Sequence, residues 1–111
     1  MAKLNVYQTP QGAFAAVNEG GATAQSAVLA VASTAENIAV TSGATLCRLQ
    51  SDNDSWYEFD ATAAVPVADV TTGSSVFLKA GQERYVICED ITNISVVSAT
   101  AGAIFSALFW D

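Results

Sequence analysis

The chain has 111 residues, of which 51% are hydrophobic and only 14% are charged, and its formal net charge is −7. This length predicts a single domain with its own core, and the apolar content excludes an intrinsically disordered chain. The basic residues Lys3, Arg48, Lys79 and Arg84 are dispersed, which argues against nucleic acid and anionic membranes as partners because both require clustered cations.

Short apolar or alternating segments follow one another along the chain, separated by turns rich in Gly, Asn, Asp or Thr, and they predict strands. The predicted strands are residues 3–8, 26–32, 37–41, 44–50, 55–60, 75–79, 83–88, 92–99 and 103–110. Residues 9–25 show no clear period and are predicted to form an extended arm or a long loop. Eight to nine short strands with this spacing are typical of an all-β fold, an antiparallel β-sandwich or jelly roll, and residues 1–111 are predicted to form one such domain.

The last predicted strand, residues 103–110, is apolar on both faces. Alternation places Ile104, Leu108 and Trp110 on the face opposite Phe105 and Phe109. A strand with one solvent-exposed face should carry polar residues there, so we expect the second face to be covered by a loop of the same chain or by a neighbouring subunit. Ile104, Leu108 and Trp110 are therefore candidate residues of an oligomer interface.

The residue types needed for catalysis or metal binding are scarce in this sequence. There is no histidine, which removes the commonest general base and metal ligand, and no phosphate-binding glycine motif occurs. Asp52, Asn53 and Asp54 lack the glycine of a calcium loop and are predicted to form a hairpin turn. We therefore predict no catalytic residues, no metal and no cofactor. Cys47 and Cys88 are predicted to be buried and unlinked.

Three further side chains have specific predictions. Trp56 and Tyr57 could offer a sugar-stacking surface, but neighbouring residues of a strand face opposite sides, so a platform built from both is not expected. Arg84 is predicted to pair with Glu58 or Asp60.

The N-terminal sequence MAKLNVYQTPQG lacks the apolar segment of a signal peptide, and no apolar run reaches the ~20 residues that span a bilayer. These features predict synthesis in the cytoplasm and no membrane association.

The C-terminal half contains four segments in a characteristic order: SWYEF, a loop with VPVADVTTGSS, then VFLKAGQERYVIC, then ITNISVVSATAGAIFSALFW. This order resembles small β-sandwich structural proteins of tailed bacteriophages, especially capsid decoration or cement proteins. The resemblance covers residues 55–110 and consists of turn and strand patterns. It implies a non-enzymatic homo-oligomer, commonly a trimer, on the outer capsid surface of the virion, where it binds the major capsid protein or another virion protein and stabilises the lattice.

Two alternatives remain at this point. One is a receptor- or glycan-binding β-module of a phage tail fibre or baseplate. The other is a cupin-like enzyme, which the absence of histidine disfavours. If the chain does bind a capsid, the arm of residues 9–25 is a candidate contact through Phe14 and Val17, although it could instead cover an edge of its own sandwich.

Overall fold

The computed structural model describes the backbone of residues 4–9, 12–17, 22–67 and 73–111, and the side chains of residues 22–67 and 73–111. Its regular elements are all β-strands, with turns between them. The strands are β1 (Leu4–Thr9), β2 (Gly12–Val17), β3 (Thr23–Leu29), β4 (Glu36–Ala39), β5 (Leu46–Ser51), β6 (Ser55–Phe59), β7 (Val76–Leu78), β8 (Glu83–Ile87), β9 (Asn93–Ser98) and β10 (Ala103–Trp110).

Eight of these strands form a sandwich of two antiparallel sheets. The first sheet has the order β3-β10-β5-β8 and the second sheet has the order β4-β9-β6-β7. Counted from the two ends of the sandwich, the first strand pairs with the last, the second with the second-last, and so on. Thus β3 pairs with β10, β4 with β9, β5 with β8 and β6 with β7. This is the pairing of a long hairpin rolled into two sheets, which is the jelly-roll arrangement. The predicted all-β sandwich is confirmed.

The core lies between the two sheets because one face of each strand is apolar at a period of two residues. In β10, for example, Ala103, Phe105, Ala107 and Phe109 are all buried. The buried cluster consists of Leu29, Ile38, Ala44, Cys47, Leu49, Tyr57, Leu78, Cys88, Ile94, Val96, Ala103, Phe105, Ala107 and Phe109. Both sheets contribute to one continuous core.

The N-terminal strands form a separate two-stranded sheet, in which β1 and β2 pair from Leu4 opposite Val17 to Thr9 opposite Gly12. The prediction of an arm or loop over residues 9–25 is therefore wrong for much of that range, since residues 12–17 form β2 and residues 23–25 begin β3. The segment GAFAAV gave little contrast between apolar and polar positions, because small residues occupy most of it. The prediction of β3 as residues 26–32 was also displaced towards the C-terminus.

Carboxylate and hydroxyl side chains fix the turns between the strands. Asp52 Oδ1 accepts a hydrogen bond of 2.8 Å from the Ile104 N–H, and Asp54 Oδ1 accepts one of 2.9 Å from the Ala80 N–H. The buried Ser51 and Ser55 hydroxyls are 2.8 Å apart, and Ser55 donates to the Asn53 carbonyl. Asp52, Asn53 and Asp54 form a tight connection between β5 and β6, but these strands lie in different sheets, so the predicted hairpin turn is wrong.

The connection between β6 and β7 covers part of the outer face of the second sheet. Ser95 and Val97 point away from the core, yet both are buried. The Ala63 N–H, itself buried, donates a hydrogen bond of 2.9 Å to Ser95 Oγ. Ser75 Oγ, near the other end of the connection, accepts from the Ala64 N–H and donates to Glu58 Oε1. The protein thus covers the part of this outer face around Ser95 with its own chain.

Candidate functional site

The outer face of the first sheet carries four of the eight exposed large hydrophobic side chains of the described residues. Strand register and side-chain alternation assign its members. They are Ala24, Ser26 and Val28 of β3, Ile104, Ser106, Leu108 and Trp110 of β10, Leu46, Arg48 and Gln50 of β5, and Glu83, Tyr85 and Ile87 of β8. We call this set the outer face. Arg48 and Glu83 are its only charged members.

Several large apolar side chains of the outer face are exposed to solvent. Ile87 is 73% exposed, Val28 is 60% exposed, Tyr85 is 48% exposed and Ile104 is 44% exposed. Leu108 is half-buried. Val28 and Ile104 lie together near one end of the face, and Tyr85 and Ile87 lie towards the other end. Exposed apolar side chains grouped in this way occur at contact surfaces. Ile104 and Leu108 therefore occupy the position that the sequence predicted for an interface.

Trp110 differs from the other two predicted interface residues, because it is fully buried within this single chain. Its ring stacks against that of Tyr85, with centroids 6.2 Å apart and an interplanar angle of 29°. The sequence placed Trp110 on the outer face, but it could not show that a side chain from β8 would pack against it. Trp110 is not available as an interface residue in this structure.

Two long polar side chains close the lateral gaps between the sheets. Gln25 Nε2 of β3 donates a hydrogen bond of 2.9 Å to the Ala39 carbonyl of β4. On the opposite side, Arg84 Nη1 of β8 donates to the Phe77 carbonyl of β7 at 2.9 Å and to Tyr57 Oη at 3.3 Å. The predicted pairing of Arg84 with Glu58 or Asp60 is wrong, because the guanidinium turns inward over the Tyr57 ring, 6.0 Å from its centroid.

An aromatic pair lies on the outside of the second sheet. Trp56 and Phe77 are opposite each other in β6 and β7, with ring centroids 5.2 Å apart and an interplanar angle of 50°. Phe77 is exposed and Trp56 is half-buried. Tyr57 points into the core and is buried, so a platform made of Trp56 and Tyr57 does not form. The register, which the sequence did not reveal, supplies Phe77 as the neighbour of Trp56 instead.

Cys47 and Cys88 are free and fully buried, as the sequence predicted. Their thiols are hydrogen-bonded to each other. Burial raises the pKa of Cys47 far above its ordinary value, and the neighbouring Cys88 raises it further; burial also raises the pKa of Cys88. Thiols with raised pKa values are poor nucleophiles, so this pair is suited to packing and not to covalent chemistry.

The carboxylates of Asp52 and Asp60 accept hydrogen bonds from backbone N–H groups. Asp60 Oδ1 accepts hydrogen bonds from the N–H groups of Thr92 and Asn93, at 3.0 and 2.9 Å. The N–H of Ile104 is the main cause that lowers the pKa of Asp52, and the Asn53 amide lowers it further. Among the residues that the structure describes, no three Cys, Asp or Glu side chains come together as a metal site. Nor is there a helix that could cross a membrane.

The remaining predicted contact residues, Phe14 and Val17, lie in β2, and their side chains are outside the described part of the chain. Comparisons with family models, with curated proteins and with solved structures found no match. Any functional assignment therefore depends on the surfaces described above and on the sequence.

Proposed function

We propose that this protein is a non-enzymatic structural protein of a tailed-phage particle, a capsid decoration protein that binds and stabilises the capsid lattice as a homo-oligomer. The observation that carries the proposal is the exposed apolar outer face, which has the character of a protein-binding surface. In the second sheet, by contrast, the β6–β7 connection covers the buried Ser95, which accepts a hydrogen bond from the Ala63 N–H. In the first sheet, Val28, Ile87 and Ile104 of the outer face stay exposed and are available to a partner.

Another copy of the chain is the partner that we assign to this face. Ile104 and Leu108 lie in the middle of the first sheet, and burial of each large apolar side chain would contribute roughly 1.5–3 kcal/mol. The resemblance of residues 55–110 to decoration proteins favours a trimer.

The specific assignment to a capsid is supported by that same resemblance and by the jelly-roll pairing of the strands, an arrangement found in many viral shell proteins. On this proposal the chain is made in the host cytoplasm and added to the outer surface of the shell. The major capsid protein is then its binding partner. Many copies on one lattice would allow weak individual contacts to hold the shell.

The experiment combines oligomer mass with shell binding. The protein is mixed with empty capsids assembled from the major capsid protein encoded in the same genome, and co-sedimentation is measured beside light scattering of the free protein. We expect an oligomer that co-sediments. Ile104→Lys should weaken self-association at least tenfold, because it places a charge in the apolar interface.

Val67→Lys is the matched control, since Val67 is 94% exposed and lies in the β6–β7 connection, away from the outer face. It should leave both measurements unchanged. A protein that stays monomeric at micromolar concentration and does not sediment with the shells would refute the proposal.

The second candidate function is glycan or receptor binding in a tail fibre or baseplate, which the exposed Trp56–Phe77 pair favours. Trp56 fluorescence reports on it directly, because Trp110 is buried. If purified host-cell polysaccharide shifts the emission of the wild-type protein but not that of Phe77→Ala, this candidate replaces the first.

A further inference from the structure

The four edge strands of the sandwich differ in how their outward backbone groups are satisfied. In the second sheet, the outward carbonyls of Ala39 and Phe77 each accept a hydrogen bond from a long side chain of the first sheet, Gln25 or Arg84. Each bond occupies one outward carbonyl, that of Ala39 in β4 and that of Phe77 in β7. The edges of β3 and β8, both in the first sheet, lack such caps among the described residues.

The register shows which groups these two strands present outward. The Cys88 N–H donates to the Thr45 carbonyl, so Arg84 and Val86 bond towards β5 while Glu83, Tyr85 and Ile87 turn their N–H and C=O groups away from it.

The same alternation in β3 directs the backbone groups of Ala24, Ser26 and Val28 outward. The Val28 carbonyl is taken by the Ala30 N–H; the other outward groups of the two strands have no partner in the described structure.

We infer that copies of this chain join head to tail, with β8 of one copy adding antiparallel to β3 of the next. The first sheet has four alternating strands, so β3 and β8 run in opposite directions. A neighbouring copy related by rotation about an axis parallel to the strands therefore presents its β3 antiparallel to β8. No strand has to reverse for the sheet to continue from copy to copy.

The side chains of the two edges complement each other in size. Placing Tyr85 opposite Ser26 also places Ile87 opposite Ala24 and Glu83 opposite Val28, so large side chains of β8 meet smaller ones of β3. The pairs Tyr85–Ser26 and Ile87–Ala24 would form four backbone hydrogen bonds. The alternative, β8 against β8 about a twofold axis, sets Tyr85 against Tyr85 and each Glu83 against an Ile87.

Head-to-tail joining would also bury the apolar side chains of the outer face. A rotation axis on that side of the first sheet turns the outer faces of successive copies towards one another, which buries Ile104 and Leu108 inside the assembly. Heterologous contacts of this kind close into rings when the rotation closes. The inference rests on the proposed homo-oligomer and adds the strands that make the contact.

Engineered disulfides test the pairing directly. Ser26→Cys, Tyr85→Cys and the double variant are incubated with oxidised glutathione, and non-reducing intact mass is measured. Opposed residues of a hydrogen-bonded antiparallel pair have Cα atoms about 5.5 Å apart, within disulfide range. We expect covalent dimers and larger species from the double variant alone. Within one chain the two positions are three strand spacings apart, roughly 14 Å, so they cannot bridge internally.

The other outcomes overturn the inference. Cross-linking of Tyr85→Cys alone would show β8 against β8, and cross-linking of Ser26→Cys alone would show β3 against β3. An oligomer in which the double variant does not cross-link would place the interface elsewhere. The pair Ala24→Cys and Ile87→Cys repeats the test should loss of the Tyr85–Trp110 stacking unfold the first set. Co-sedimentation with shells is scored separately, so failure of the edge pairing and failure of the proposed function give different results.

Discussion

At the scale of single residues, Cys47 and Cys88 link burial to a measurable pH dependence. Burial raises the pKa of both thiols above the ordinary value of 9.0, so above that pH the unfolded chain releases thiol protons that the folded chain retains. A raised folded-state pKa contributes stability below the unfolded pKa, and that contribution is lost as the pH rises. The folded protein should therefore weaken in alkaline solution.

We predict that the free energy of unfolding falls above pH 9 by about 1.4 kcal/mol per pH unit for each thiol that ionises only when unfolded. Urea denaturation at pH 8 and at pH 10 measures the change. The double variant Cys47→Ala/Cys88→Ala is the control: it is less stable at pH 8 because of the cavities, but the thiol contribution to its alkaline decline is gone. An equal decline in the variant would show that the two thiols are not the cause.

At the scale of strands, alternation was sufficient to predict most of the sandwich. The prediction for residues 103–110 coincides with β10, and that for residues 83–88 exceeds β8 by one residue. Both strands are rich in the aromatic and branched apolar residues that favour strands, such as Phe105 and Phe109 in β10 and Tyr85 and Ile87 in β8. The segment of β2 is built mainly of small residues, and the signal that would reveal a strand is weak there.

The parts of the site that sequence reasoning missed depend on register. Nothing near Arg84 in the chain indicates that its guanidinium binds the Phe77 carbonyl, because that acceptor is a backbone atom carried by another strand. The turn that brings β7 and β8 together includes the Gln82 N–H bond to the Lys79 carbonyl and Gly81 at φ 78°. The contact between Trp56 and Phe77 likewise depends on the register of β6 against β7.

Arg84 permits a test of how the edges are held. We predict that Arg84→Leu lowers the free energy of unfolding by about 1.5–3 kcal/mol, since it removes a charged donor from the Phe77 carbonyl and leaves that edge group unpaired. Tyr57→Phe removes only the longer bond to Tyr57 Oη and should cost about 1 kcal/mol or less. Chemical denaturation measures both. Equal losses in the two variants would show that the phenol, and not the β7 edge, is the important partner.

At the scale of the whole molecule, the chain consists of an eight-stranded sandwich and an N-terminal hairpin. Every sandwich strand pairs with another sandwich strand, and β1 and β2 pair only with each other. An isolated two-stranded hairpin is marginally stable in water, so a hairpin retained at the start of the chain is suited to a contact with something larger. On the proposed function, the outer face and the edges of the first sheet would make the contacts between copies, and the hairpin would make the contact with the shell.

We predict that a chain beginning at Ala22 keeps the sandwich and its self-association but loses most of its binding to capsids. The physical reason is that deletion of residues 1–21 removes no strand from either four-stranded sheet, whereas it removes Phe14 and Val17, the proposed shell contacts. Circular dichroism and light scattering follow the fold and the oligomer, and co-sedimentation with empty capsids follows binding.

Phe14→Ala and Val17→Ala in the full chain are the finer probes, each expected to weaken co-sedimentation without changing the oligomer mass. Full binding by the shortened chain would move the shell contact onto the sandwich, while aggregation of the shortened chain would mean that the hairpin protects an open edge of the first sheet.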